Sequence, residues 1–218
     1  MGPGTRRRDG SPLPVRPPLP RLHAITDERV ARLPDLAARA ASLARGAGAD
    51  VALHARGRAL SGLEHFTLAT DLSRAAPSPL FVNDRLDIAL ATGAIGVQLS
   101  RASLDPADAR RMNPRWWIGQ SAHDLAEAEA ARAAGADYLV VGPMFPTPTH
   151  PGRAPLSSAT LTAIVALDLP VIGVGGVGPG CVTPLRAQGL YGVAAIRALW
   201  DADDPADAAR RMLQELEA

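Results

Sequence analysis

The chain has 218 residues, of which 47% are hydrophobic, and this is enough material for one domain with a sizeable core. Residues 1–20 hold four arginines and one aspartate, so a formal net charge of +1 leaves −2 for the rest of the chain, which argues against a nucleic-acid surface. All 23 cationic residues are arginine and Cys181 is the single cysteine, which excludes lysine Schiff bases, a P-loop lysine, an internal disulfide and a multi-cysteine metal site.

Residues 1–20 form the first distinct segment. They contain six prolines, three glycines and scattered arginines, a composition that cannot pack a core and is typical of a disordered tail. No apolar stretch follows these arginines, so a secretory signal is not expected, and no run approaches the 18 apolar residues of a membrane span. We therefore expect a cytoplasmic protein without a membrane partner.

After Arg21, short apolar runs alternate with alanine- and leucine-rich amphipathic stretches. Most of the runs lack polar alternation, as parallel strands buried on both faces do. Between them, Asp124–Ala134 has helical periodicity, Asp105 and Asp124 are candidate N-caps, and a last helix is expected after Asp204 and Pro205. The eight predicted strands are Leu22–Thr26, Val51–Ala55, Leu80–Asn83, Gly96–Leu99, Trp116–Gly119, Tyr138–Gly142, Val171–Gly175 and Val193–Ile196.

Eight strand–helix units within residues 21–218 predict an α/β fold of the (β/α)₈ TIM-barrel type, with a doubly wound open sheet as the alternative. In a barrel, the active groups lie at the C-terminal ends of the strands. Polar, titratable and glycine residues follow the predicted strands of this chain, which is the pattern of an active site.

The glycine-rich end of strand seven and the end of strand eight form the first candidate site. Gly175 and Gly176 end strand seven, and Ile196 and Arg197 end strand eight. In barrels these two loops often bind phosphate through backbone N–H groups, and glycine lets the backbone approach the anion. A tight corner would require the same glycines, so the pattern alone does not decide between the two interpretations.

Three further groups follow other strands. His123 can take and return a proton near neutral pH, although a histidine at a helix start can also be structural. Asn83 could bind a substrate and Asp84 a divalent cation, but both residue types are ordinary caps. The proline-rich loop 142–152 is typical of a loop that covers a substrate or of a stiff connector. Its hydrogen-bond donors are Thr147, Thr149 and His150. His23, His65, Trp116, Trp117 and Cys181 are expected to be structural.

Several motifs together resemble the family of thiamine phosphate synthase and its TenI relatives. Residues 142–149 read Gly-Pro-Met-Phe-Pro-Thr-Pro-Thr, Ala134–Gly142 read Ala-Gly-Ala-Asp-Tyr-Leu-Val-Val-Gly, and Val82–Arg85 read Val-Asn-Asp-Arg. The similarity extends from about Leu22 to Leu213. It implies a closed (β/α)₈ barrel and a phosphorylated thiazole as the small-molecule partner; many members form homodimers.

The family contains two activities, and this chain departs from the synthase pattern at several positions. The synthase couples a pyrimidine methyl pyrophosphate to a thiazole phosphate with Mg²⁺, whereas the tautomerase moves one proton in a carboxythiazole phosphate without metal. Asp84 retains the first metal aspartate, but Ser103 stands at the second and His150 at a pyrophosphate-binding lysine. After strand two, His54 replaces a cation, and Arg56 keeps a positive charge.

The resemblance therefore favours a TenI-type thiazole tautomerase with no cofactor, in which His123 is the catalytic residue. The alternatives are a divergent thiamine phosphate synthase, in which Asp84 would hold Mg²⁺, and a non-catalytic binding protein for thiazole or thiamine phosphate. The expected substrate-binding residues are His54, Arg56, Asn83, Ser121, Thr147, Thr149 and His150. The expected phosphate-binding residues are Gly175, Gly176, Ile196 and Arg197.

Overall fold

The computed structural model describes residues 16–147, 152 and 154–218. Eight parallel strands close into a barrel in chain order, and β8 pairs with β1 through Val193 and Leu22. This closure confirms the predicted TIM-barrel class and excludes the open sheet. The strands are β1 (Leu22–Ile25), β2 (Val51–Ala55), β3 (Leu80–Asn83), β4 (Gly96–Leu99), β5 (Trp117–Ala122), β6 (Tyr138–Val141), β7 (Val171–Val174) and β8 (Gly192–Ala195).

Several helices begin where the sequence supplies a cap. Asp105 and Asp124 each accept a backbone hydrogen bond at the first turn of a helix, as expected, Asp204 does the same for the last helix, and Ser61 forms a reciprocal capping box with Glu64. The helices are α1 (Leu36–Ala47), α2 (Gly62–Ala75), α3 (Leu86–Thr92), α4 (Pro106–Met112), α5 (Leu125–Ala133), α6 (Ser158–Val165), α7 (Val182–Ala187), α8 (Arg197–Trp200) and α9 (Pro205–Glu217). Two 3₁₀ turns, Val30–Arg32 and Gly48–Asp50, complete the described elements.

The apolar side chains form two layers. The larger layer lies between the strands and the helices, where Leu43, Leu72, Trp116 and Trp200 are almost fully buried. The smaller layer fills the barrel interior, and its members include Phe81 and Tyr138. The barrel interior is therefore a packed core rather than a pore.

Residues 16–20 differ from the expectation of a tail that reaches residue 20. The Arg16 guanidinium lies 4.1 Å above the Trp117 ring and forms an ion pair with Asp137 at 2.7 Å. Leu19 is buried, and its carbonyl accepts a hydrogen bond from the Tyr191 hydroxyl at 2.5 Å. This segment thus packs across the N-terminal end of the barrel, because Leu19 offers an apolar side chain and Arg16 finds a carboxylate. Residues 1–15 lie outside the described residues.

Among the strands, β5 departs most from its predicted bounds, whereas β1, β6, β7 and β8 differ by one residue at one or both ends. It begins at Trp117 and extends to Ala122, three residues past the predicted end, so Ser121 belongs to the strand itself. Its pairing with β6 continues through Ser121 and Ala122, opposite Val140 and Val141. None of the helices in the described ranges is long and apolar enough to cross a membrane.

Candidate active site

A cavity of about 560 Å³ opens at the C-terminal ends of the strands. Its floor is formed by interior side chains such as Ile25, Val140 and Ala194, and its rim by the loops that follow the strands. The site residues that line it are Arg56, Asn83, Ser121, His123, Thr147, Gly175, Gly176, Ile196 and Arg197. The barrel therefore brings together nine of the eleven residues that the sequence predicted for the site and the structure describes, Asp84 and His54 being the exceptions.

The β7–β8 side of the cavity has the features of an anion site. Gly175 and Gly176 adopt left-handed backbone conformations, with φ of 95° and 69°. A Cβ on Gly176 would lie 2.7 Å from the Phe145 Cβ and 2.9 Å from the Pro146 carbonyl oxygen, so the loop after β6 leaves no room for a side chain. The glycines therefore both turn the corner and bring the backbone to the cavity wall. Arg197, the first residue of α8, adds a guanidinium on the same side.

The β2–β4 side carries a second group of cations. Arg56 and Arg58 follow β2, and Arg101 follows β4. Within the described part of the chain, the guanidinium groups of Arg56 and Arg58 form no ion pair. Burial, followed by repulsion from Arg58, lowers the pKa of Arg56 from its ordinary value. An anionic ligand beside Arg56 would stabilise its charged form and so offset both the burial and the repulsion.

The cations of the β2–β4 side lie at different distances from the β7–β8 side around the barrel mouth. Arg101 follows β4, which lies four strands from β8, so it stands across the mouth from Arg197. By contrast, Arg56 and Arg58 follow β2, two strands from β8 and three from β7. The cavity thus has an anion-binding wall at β7–β8 and a separate cationic wall on the β2–β4 side. Arg58 and Arg101 were missed in the sequence because a rim arginine has no local signature until its neighbours are known.

His123 lies between these two walls, at the end of β5. Its Nδ1 lies 3.0 Å from Glu127 Oε2, and its backbone N–H donates to the same oxygen at 2.9 Å. Burial alone would raise the pKa of the Glu127 carboxyl, but hydrogen bonds from His123 and Arg101 hold it below its ordinary value. The carboxylate therefore keeps the proton of His123 on Nδ1 and leaves Nε2 as an acceptor. Glu127 could have been found from the i, i+4 spacing to His123 on the first turn of α5.

His54 occupies a different place from the one expected for a substrate-binding residue. Its side chain is fully buried inside the barrel and does not line the cavity. Its two ring nitrogens are hydrogen-bonded to the side chains of His23 and Asn83, at 2.8 and 3.1 Å. The His54 ring ends against Asn83, and Asn83 borders the cavity. Asn83 therefore lies between the His54 ring and the space for a ligand.

Asp84 decides whether the chain builds a metal site. Its Oδ1 accepts the Ser100 backbone N–H at 2.7 Å, and its side chain lies outside the cavity lining. Ser103, at the expected second metal position, brings a hydroxyl instead of a carboxylate. Among the described residues no group of three or more His, Cys, Asp or Glu side chains could hold a metal ion. The donor set does not fit a protein-built magnesium centre, which normally relies on one or two free carboxylates.

Two smaller groups complete the cavity wall. The Ser121 hydroxyl accepts a hydrogen bond from Gln98 Nε2 at 3.1 Å, and Gln98, at the end of β4, also lines the cavity although it was not among the predicted site residues. Thr147, within the proline-rich loop, borders the cavity. Two other residues of this loop that the sequence predicted for the site, Thr149 and His150, lie outside the described residues.

Comparisons with known proteins identify the family. A family model described as thiamine monophosphate synthase matches residues 22–199. A thiamine-phosphate synthase of Herpetosiphon aurantiacus is 40% identical over 199 residues, which cover 88% of this chain and 95% of that protein. Another, from Chlorobium phaeobacteroides, is 35% identical over 206 residues, which cover 92% and 98%. The chain matches 29% of the length of a thiamine biosynthesis bifunctional protein ThiM/ThiE of Symbiobacterium thermophilum, with 46% identity over 140 residues.

Solved structures give the same result. The chain superposes on a thiamine phosphate pyrophosphorylase from Pyrococcus furiosus with a TM-score of 0.76 and 27% identity, over 90% of this chain and 95% of the other. A 3-hexulose-6-phosphate synthase, at 21% identity and a TM-score of 0.68, shares the fold. Because the family model spans most of the barrel and full-length relatives align along nearly their whole length, the chain belongs to the thiamine monophosphate synthase family.

Proposed function

We propose that this protein acts in thiamine biosynthesis as a thiamine-phosphate synthase, which couples a pyrimidine methyl pyrophosphate to a thiazole phosphate. The observation that carries the proposal is the presence of two separate anion-binding walls in one cavity, one at β7–β8 and one on the β2–β4 side. A reaction between a pyrophosphate and a phosphate needs two such walls, and the relatives that align over almost their full length are named thiamine-phosphate synthase.

In this proposal the thiazole phosphate lies against the backbone of Gly176 and beside Arg197, and the pyrophosphate lies against Arg56 and Arg58. The C–O bond of the pyrimidine methylene breaks, its electron pair leaves with the pyrophosphate, and the thiazole nitrogen forms the new C–N bond. Negative charge accumulates on the leaving group, and fixed guanidinium groups stabilise it. Since the donors of Asp84 and Ser103 do not fit a metal centre, no step is assigned to Mg²⁺.

A second candidate function, the thiazole tautomerase, is favoured by a separate observation. The His123–Glu127 pair places an imidazole with a free Nε2 on the cavity wall. The imidazole would remove the ring proton beside the carboxylate of the carboxythiazole phosphate and return a proton to the exocyclic carbon. This reaction has no leaving group to stabilise, so the β2–β4 arginines would contact only the carboxylate of this substrate.

A paired assay on the full chain separates the two functions. One arm supplies the pyrimidine pyrophosphate and the thiazole phosphate, with Mg²⁺ or with a chelator, and follows thiamine phosphate. The other arm supplies the non-aromatic carboxythiazole phosphate and follows its aromatisation. We expect thiamine phosphate to form in the first arm. Aromatisation alone would overturn the synthase proposal in favour of the tautomerase, and ligand binding without turnover would favour a binding protein.

The variant His123→Asn sharpens the distinction. Coupling transfers no proton to or from the enzyme, so we expect this variant to retain coupling within a few-fold. Tautomerisation requires the imidazole, so its loss should lower that rate by about 10²–10⁴-fold. Glu127→Gln is the matched control, because it keeps the side-chain shape while it removes the carboxylate that orients Nδ1. A loss of coupling in His123→Asn that matches the loss in Arg56→Gln would contradict the proposed chemistry.

A further inference from the structure

A hydrogen-bonded chain of side chains runs inside the barrel from its N-terminal end to the cavity. The Pro20 carbonyl oxygen lies 2.9 Å from His23 Nε2, and His23 Nδ1 lies 2.8 Å from His54 Nε2. The remaining nitrogen, His54 Nδ1, lies 3.1 Å from Asn83 Oδ1. Both histidines are fully buried, whereas Asn83 borders the cavity. Neither histidine takes part in the chemistry proposed above.

The direction of this chain follows from its first member. A carbonyl oxygen only accepts hydrogen bonds, so His23 must carry its proton on Nε2. Burial lowers the pKa of His23 to about 4, and burial followed by the neighbouring His23 lowers the pKa of His54 well below its ordinary value. Both rings are therefore neutral at pH 7 and have one N–H each. Since Nδ1 of His23 has no proton, it accepts from Nε2–H of His54.

The same reasoning applies to Asn83. Because the only N–H group of His54 donates to His23, His54 Nδ1 carries no proton and is an acceptor. Asn83 must therefore donate to it. The oxygen and nitrogen of an amide exchange on a half-turn of the group, which leaves the outline of the side chain unchanged. A half-turn of the amide, from the orientation with Oδ1 at 3.1 Å from His54 Nδ1, therefore puts the nitrogen against His54 and the oxygen toward the cavity. The opposite direction would set an unprotonated His23 Nε2 against the Pro20 carbonyl oxygen in a dry interior, which leaves two acceptors unsatisfied.

We propose that the His23–His54 pair holds Asn83 with its amide oxygen toward the cavity, so that this point of the wall selects a ligand with an N–H or O–H donor. The side chains of the neighbouring Arg56 and Arg58 only donate hydrogen bonds, so an acceptor on Asn83 beside them favours a ligand with a donor at this position. In the proposed coupling reaction the pyrimidine lies on this side of the cavity. The inference rests on the proposed function for the identity of the ligand, but not for the direction of the chain.

The direction can be measured without any ligand. Long-range ¹H–¹⁵N correlation spectra of the full chain at pH 7 report which nitrogen of each histidine is protonated, and the signals are assigned by their loss in His23→Gln and His54→Gln. We expect both rings as the neutral Nε2–H form, and slow solvent exchange of the Asn83 amide protons. A proton on Nδ1 of either ring, or an imidazolium, would overturn the proposal.

The selection of a donor is tested with a matched pair of variants. His54→Gln preserves the direction, because its amide nitrogen can donate to His23 and its oxygen can accept from Asn83. His54→Phe fills the same interior space but offers no acceptor, so the Asn83 amide can turn. With the pyrimidine pyrophosphate as titrant in calorimetry, we expect Kd to rise about 10-fold in His54→Phe and less than about 3-fold in His54→Gln.

The outcomes separate this inference from the proposed function. Equal Kd values in the two variants would show that Asn83 does not select the ligand and would overturn the inference. If the unmodified chain does not bind the pyrimidine pyrophosphate, the pyrimidine assignment and the synthase proposal both fail. The ring-nitrogen spectra still decide the direction of the chain in that case, and they do so even if His54→Phe does not fold.

Discussion

The buried histidines make the folded barrel sensitive to mild acid. Burial lowers the pKa of His23 to about 4, whereas the same group in the unfolded chain titrates near 6.5. Below pH 6.5, His23 therefore binds a proton in the unfolded chain but stays neutral in the folded chain. The free energy of unfolding consequently decreases as the pH falls toward 4. For His23 alone, the free energy of unfolding decreases by roughly 2 kcal/mol between pH 7 and pH 5. His54 adds a loss of the same sign, because its pKa is also lowered.

Urea unfolding at pH 7, 6 and 5 measures this loss, with the fluorescence of the buried Trp116 and Trp200 as the signal. Carboxyls whose pKa is lowered, such as those of Glu28 and Glu127, contribute only below about pH 4.5 and do not disturb this interval. The variant His23→Gln should reduce the fall in stability between pH 7 and pH 5 by roughly 2 kcal/mol. An unchanged fall in this variant would refute the claim that His23 is buried in its neutral form.

Three further predictions concern the cavity and the base of the barrel. Arg56→Gln should lower kcat/KM for coupling by about 10²-fold, whereas Arg58→Gln, at the exposed rim, should lower it less than about 5-fold. Steady-state kinetics measure both values, and equal losses would contradict the assignment of the partly buried Arg56 to the leaving group. Gly176→Ala should destabilise the fold more than Gly180→Ala, because both have positive φ but a Cβ meets other atoms only at Gly176; thermal unfolding compares them, and equal losses would argue against the clash. Asp137→Ala should lower the free energy of unfolding in urea by about 2 kcal/mol, because it leaves two arginines and a backbone N–H without their acceptor. A change near zero would show that water replaces these hydrogen bonds at little cost.

The candidate site was partly predictable because a closed parallel barrel gathers all strand ends at one rim. Residues such as Arg56 and Ser121 could be selected from their positions after predicted strands. His54 could not be placed in the same way, because alternate residues of a strand face the interior, and the depth of a side chain depends on its length and on the tilt of the strand. Its neighbour His23, expected to be structural, forms the hydrogen-bonded pair that holds it there.

Charge pairing also required the tertiary structure. Arg16, assigned from composition to the tail, packs against Asp137 across 121 positions of sequence, and no local pattern predicts such a partner. Likewise, the sequence shows Asp84 only as an acidic residue directly after a strand. In the structure its carboxylate accepts a hydrogen bond from the backbone N–H of Ser100, which follows β4. A retained residue type therefore did not establish a metal ligand.

The sequence by itself determined the eight strands, the capped helices and the rim on which the site lies, because apolar runs and cap residues act over a few positions of the chain. It also carried the motifs of the family, whose loop at Gly142–Thr149 is specific enough to recognise. Only the tertiary structure decided which cations face each other across the cavity and which carboxylates are already hydrogen-bonded. These properties depend on distances between side chains far apart in sequence, and such distances are set only when the barrel closes.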